Sequence, residues 1–156
     1  MKASTDSTSA ANFRNFGHRM SYVAQAIIAR KFSKSISIAL HPTYVHRNFV
    51  AAGDENSLFA LGIGGRFKFS KRFGIIIEYF YPFSKLRHDQ NSMFTYNDPL
   101  SIGVELETGG HIFHINFTNS EGILANDWIP YTRGSWLDGG FRFGFTISRR
   151  FVILRK

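Results

Sequence analysis

The sequence predicts an all-β fold, an antiparallel up-and-down β-barrel of the transmembrane type, and three observations predict it. From residue 18 onward, apolar residues recur at every second position through seven segments, which is the side-chain period of a strand. Most of these segments run for 10 or more residues, beyond the globular average of about 5–6 and close to the roughly 9–11 that a tilted membrane strand needs. Their connections alternate between short and long, as periplasmic turns and outer loops do in such barrels.

The first segment, His18–Phe32, leaves its facing open, because Tyr22, Ala24, Ala26 and Ile28 compete with Val23 and Ile27 for the apolar side. Ser33–Ser35 links it to Ile36–Arg47, and Asn48–Asn56 leads on to Ser57–Phe69. The turn Ser70–Arg72 then joins Phe73–Phe83 and pairs Phe69 with Phe73, Phe67 with Ile75, Ile63 with Tyr79 and Leu61 with Tyr81 on one apolar face. The opposite face carries Gly62, Gly64, Arg66, Lys68, Gly74 and Glu78, a poor core for a soluble sandwich. That polar face is therefore expected to be concave and the Phe/Ile face to be the broad outer one.

After the long Ser84–Asp98 link, Pro99–Thr108 and His111–Thr118 are joined by Gly109-Gly110, the composition of a two-residue primed turn. With Thr108 opposite His111, Leu106 meets Phe113, Val104 meets Ile115 and Ile102 meets Phe117. The other face then pairs Glu107 with Ile112, Glu105 with His114 and Gly103 with Asn116. Asn119–Asp138 leads to the last segment, Gly139–Phe151.

Seven strands is an odd number, whereas single-chain bacterial barrels have an even one. The expectation is the C-terminal part of a larger barrel, closed by missing N-terminal strands of the same barrel or by another chain. Residues 1–17 are expected to be a polar outer loop or a disordered N-terminal segment, 18–151 the barrel portion and 152–156 a short basic tail. The opening MKASTDSTSAANFRN has one lysine and no apolar core, unlike a secretory signal.

Composition narrows the function classes. The 156 residues suit one ordered domain, and no run approaches the roughly 20 apolar residues of a membrane helix. The absence of cysteine excludes disulfides, zinc-thiolate sites and a cysteine nucleophile. A net charge of +8 raises nucleic-acid binding, but placement argues against it. Arg30, Lys31, Lys34, Lys68, Lys71, Arg72, Arg149, Arg150, Arg155 and Lys156 gather at the short-turn end, while all tyrosines and tryptophans lie toward the long loops. Bases would have no aromatic platform beside the cations. The basic end is suited instead to anionic lipid headgroups, at about 1 kcal/mol or less per cation. Tyr44, Tyr79, Tyr81, Trp128 and Trp136 are the expected interface aromatics.

The segment PLSIGVELETGGHIFHINFTNS, followed by GGFRFGFTISRRF, resembles a Bacteroidetes family of outer-membrane β-barrel proteins of unknown function, most strongly over residues 98–151. The resemblance implies the bacterial outer membrane and carries over no catalytic residue. In the closing strand, Phe141, Phe143, Phe145 and Ile147 alternate with Arg142, Gly144, Thr146 and Ser148 and resemble a signal for the barrel-assembly machinery, although the chain continues through VILRK.

The candidate site is a polar cluster on the expected lumen wall: Arg66, Lys68, Glu78, Glu105, Glu107, His114, Asn116 and Arg142. Such a cluster sets the field of a pore, or its opposite charges compensate across strands and fill a narrow interior. The second reading is favoured, with Glu78 diagonal to Arg66 and Glu105 facing His114. No metal site is expected, since His111 and His114 fall on opposite faces of a strand. GIGGRF lacks the strand-to-helix setting and the GK[ST] ending of a phosphate loop. The functional expectation is an outer-membrane barrel acting as a pore or as an envelope structural or binding protein, without cofactor or catalysis, in contact with outer-membrane lipids. The alternatives are a membrane-embedded lipid hydrolase, for which Ser120 and His111 stand roughly 30 Å apart along one strand, and a soluble β-barrel carrier of a small apolar ligand.

Overall fold

Aromatic and β-branched residues fill the stretches between turns, and each stretch forms a strand hydrogen-bonded to its predecessor. The computed structural model describes residues 15–89 and 95–149. Residues 1–14 of the expected N-terminal segment, Arg150, Phe151 and the 152–156 tail lie outside the described residues. After a 3-10 turn at Phe16–Arg19 come β1 (Ser21–Gln25), β2 (Ile28–Lys31), β3 (Ile36–Arg47), β4 (Ser57–Lys68), β5 (Phe73–Pro82), β6 (Leu100–Thr108), β7 (His111–Thr118) and β8 (Arg142–Arg149). Two short helices, α1 (Lys85–His88) and α2 (Ala125–Tyr131), sit in the long connections. β1 and β2 both pair with β3, and the rest follow in chain order, every pair antiparallel. The result is a strongly curled half-barrel of seven strands, the first in two pieces. Among the described residues, no pairing joins β8 back to β1.

Pro42 divides that first strand. Ala26 donates its N–H to the Pro42 carbonyl at 3.0 Å, but proline has no N–H to return. The ladder therefore lapses between the Gln25–Thr43 and Ile28–Leu40 pairs. The same registers settle the facing: Tyr22, Ala24 and Ile28 share a face with His46, Tyr44 and Leu40, while Val23 lies with Val45.

The hairpin registers agree with those read from the sequence. Gly109 and Gly110, with φ of 51° and 97°, make the left-handed turn that sets Thr108 against His111 and Glu105 against His114. In β4 and β5, Phe67 faces Ile75, Ile63 faces Tyr79 and Leu61 faces Tyr81.

Burial shows which face is which. Phe59, Leu61 and Ile63 are 63%, 41% and 48% exposed, whereas Leu58 and Ala60 between them are 1% and 3% exposed. Phe73, Ile77, Val104, Ile115, Phe143, Phe145 and Ile147 continue the exposed apolar face across the other strands. Arg47, Thr43, Glu105 and Asn119 are buried on the inside. This is the reverse of a water-soluble barrel and suits an apolar surround.

A small apolar core occupies the long-loop end of the concave face. Val45, Leu58, Ala60 and Phe80 receive Ile129 from α2, with Ala125 and Trp128 packed against them. α2 touches β1, β3 and β5, which a seven-residue helix can do only because the sheet curls around it. Gly62 makes room for this core: a Cβ there would lie 2.5 Å from the Phe80 ring and 2.9 Å from the His41 Cβ. Gly62→Ala is expected to destabilise the folded protein by about 1–3 kcal/mol through overpacking, read as a lower urea midpoint in detergent or lipid vesicles; an unchanged midpoint would mean that Phe80 moves freely.

Candidate functional site

Five of the predicted polar residues form one ion ladder on the concave wall. Glu105 of β6 is 3% exposed and accepts from the Arg66 Nε at 3.0 Å and from a second Arg66 nitrogen. His114 Nε2 lies 3.1 Å from its other side, and Lys68 Nζ stands 3.8 Å away while bonding Glu107 at 2.7 Å. The expected Glu105–His114 pair is present.

The Arg66 partner differs from expectation. Arg66 lies on β4 and Glu105 on β6, so the pair reaches over β5. Two features allow this: side chains converge on a concave face, and the residue beneath is Gly74, whose added Cβ would sit 3.5 Å from the Lys68 Cγ and 3.8 Å from the Glu105 Oε1. Glu78, expected to compensate Arg66, is left without an ionic or hydrogen-bonding partner among the described residues. Asn116 fills the space above Gly103, its Oδ1 standing 2.2 Å from where a Cβ would be. Arg142 turns away to the loop and bonds Glu121 at 2.7 Å.

The aromatics divide between the two faces. Tyr44 stacks beside Phe59, and Tyr79 and Tyr81 project on the same outer face as Ile77, with Tyr81 against Phe83 and His88. Trp136 stacks on Phe141 and donates its indole N–H to the Leu100 carbonyl at 3.2 Å. Trp128 departs from the expected belt: its ring meets Phe80 edge-on at 4.8 Å, on the inner side. The reason is α2, which turns the loop chain inward and carries Trp128 with it.

Sequence reasoning missed the group that joins the loops. Asp54, in the β3–β4 loop, bonds Arg87 of α1 at 2.8 Å, Arg47 at 3.3 Å and the Tyr131 hydroxyl of α2 at 3.1 Å. Arg87 also donates to the Pro130 carbonyl at 2.8 Å, and the Arg47 and Arg87 guanidiniums lie 4.6 Å and 5.9 Å from the Tyr131 ring centroid. Arg47 and Arg87 are 5% and 4% exposed. One carboxylate therefore ties the three long loops into a cap over that end of the concave face. The only sequence signal was the placement of these charges in loops, which is commonplace for solvated residues.

Burial pushes the Asp54 pKa up, but the Arg87 hydrogen bond and charge, the Glu55 N–H and Arg47 outweigh it and hold the value below the ordinary 3.8. Burial, together with the Asp54 charge and against the pull of Arg47 and Arg87, pushes Tyr131 up to about 12 and keeps it a hydrogen donor.

The family model described as "Membrane bound beta barrel domain (DUF5777)" matches residues 1–151. No curated protein and no solved structure matches the chain. Among the described residues no helix is long and apolar enough to cross a membrane.

A depressed carboxylate pKa contributes stability that is complete above the unfolded value and is lost as pH falls through the folded one. For Asp54 that window lies below pH 3.8, where the cap is expected to loosen and the emission of Trp128, seated on Phe80, to shift toward that of water-exposed indole. Asp54→Asn leaves the buried Arg47 guanidinium without its carboxylate and Arg87 with Glu55 alone at 3.6 Å, at a cost of about 3–5 kcal/mol. Its cap is expected to be loose already at neutral pH, without the acid step; an acid step identical to that of the unsubstituted protein would contradict the role given to Asp54.

Proposed function

The chain belongs to this family of membrane-bound β-barrel domains, and on that premise we propose that it serves in the outer membrane of a Bacteroidetes cell as a capped barrel, an envelope structural or binding protein rather than an open pore. One observation carries the reading: all three long loops converge on Asp54, and α2 is pressed onto the concave face beneath them. The ladder of Arg66, Lys68, Glu105, Glu107 and His114 supports it from below. Charges that neutralise one another in a narrow interior leave little field to draw ions through.

The outer-membrane placement draws on the resemblance of residues 98–151 and on the alternation of Phe143, Phe145 and Ile147 with small or polar residues in β8, a strand suited to the assembly machinery. The exposed Arg30, Lys31, Lys34, Lys71 and Arg72 at the short-turn end suit anionic headgroups of outer-membrane lipids. Unpaired backbone groups at β1 and β8 are costly in hydrocarbon, so further strands, from the same barrel or another chain, are proposed to close the sheet. The proposed role is non-catalytic and takes no cofactor. His111 opens β7 and Ser120 lies past its other end, where it hydrogen-bonds Thr132 within the cap. A soluble carrier would need inward the Phe and Ile side chains that lie outward here.

Single-channel recording in planar bilayers tests the proposal. The unsubstituted protein is expected to stay closed, and the Asp54→Asn/Arg87→Ala variant to open at least ten times as often; frequent large openings of the unsubstituted protein would overturn it.

A further inference from the structure

Glu78 is the one inward carboxylate of β5, and it differs from its neighbours on the wall. Glu105 has three basic groups around it and Glu107 has Lys68, yet Glu78 has no ionic or hydrogen-bonding partner among the described residues. The inward basic groups of the adjacent strand β4 are committed elsewhere, Arg66 to Glu105 and Lys68 to Glu107; farther off, Arg142 of β8 bonds Glu121, and the His41 ring of β3 lies against Phe80 at 5.8 Å. Across the sheet Glu78 sits opposite Gly64 on one side and Ser101 on the other. A half-buried carboxylate at this depth is costly unless something cationic meets it.

It also lines a cavity of about 220 Å³, shared with Ser101, Thr118, Ser120, Phe80 and Trp128. The hydroxyls are already oriented: Thr132 donates to the Trp128 carbonyl at 2.7 Å and so accepts from Ser120 at 3.1 Å, while Thr118 accepts from Ser101 at 2.8 Å and from the Ser120 N–H at 3.2 Å, which leaves lone pairs on Ser101 and Ser120 for a donor from outside. Calcium takes six to eight oxygen ligands, and the described residues hold no cluster of three metal-ligating groups. The aromatic walls coordinate no metal but cover an alkyl body.

We propose that this cavity is a binding site for a small primary alkylammonium: its three N–H groups meet Glu78 and the Ser101 and Ser120 hydroxyls, and its apolar part rests against Phe80 and Trp128. The site goes beyond the capped-barrel reading and needs only that Trp128 stay seated on Phe80.

The test is a titration of the full chain, folded in detergent, with ethylammonium chloride against sodium chloride at matched ionic strength, read by tryptophan emission. A saturable response to ethylammonium and none to sodium is expected. It should persist in Trp136→Phe, vanish in Trp128→Phe, and need at least tenfold more ligand in Glu78→Gln. Ser101→Ala, which removes one proposed acceptor, should weaken binding severalfold and serves if Glu78→Gln does not fold. An equal response to sodium indicates screening alone and overturns the site, as does unchanged affinity in Glu78→Gln or, where that variant does not fold, in Ser101→Ala. Retained binding in a protein that conducts freely in bilayers would overturn the capped barrel and leave this site standing.

Discussion

A strand sends successive side chains to opposite faces, and a curled strand gives those faces unequal room. On the convex side side chains diverge, and Phe, Ile and Leu spread without needing partners in the protein. On the concave side they converge, and whatever stands there must fit and be satisfied. Glu105 meets both demands at once: it is buried, and Arg66 of β4 and the His114 ring of β7 close on it from two directions. Breaking a buried pair leaves a charge with no solvent to replace its partner, so the ladder holds the curl as much as the curl holds the ladder.

Glycine makes the inner face possible. Gly74 lets Arg66 and Lys68 reach Glu105 over an intervening strand, Gly103 yields its volume to Asn116, and Gly62 admits the Phe80 ring. At Gly74 and Gly62 the missing side chain permits a contact between strands that are not neighbours, Arg66 with Glu105 and His41 with Phe80. Above the ladder, the core of Val45, Leu58, Ala60 and Phe80 gives α2 an apolar seat, and Asp54 binds the loop ends over it. Wall, core and cap thus follow one another along the concave face from the short turns to the long loops.

Much of this was legible because short turns and period-two patterning act locally. Gly109-Gly110 allowed the β6–β7 register and the Glu105–His114 pair to be counted out, and Ser70–Arg72 did the same for β4 and β5. What was not legible depends on curvature. No pairing rule between adjacent strands selects Glu105 over Glu78 for Arg66, since the contact crosses β5. The inward turn of Trp128 was equally hidden, because α2 is short, contains Pro130 and draws its stability from packing rather than from a periodic pattern. Pro42 was visible as a proline within a strand, but that its missing N–H points toward β1 follows only from the pairing.

The assignment of faces is the claim on which wall, cap and cavity all stand. Its most direct measurement places an environment-sensitive fluorophore on single cysteines at Ile115 and Phe143, and separately at Asn116 and Arg142, in protein inserted in bilayers containing a lipid-phase quencher. Strong quenching at Ile115 and Phe143 with little at Asn116 and Arg142 is the predicted result. The opposite pattern would put the Phe and Ile face inward and contradict the account.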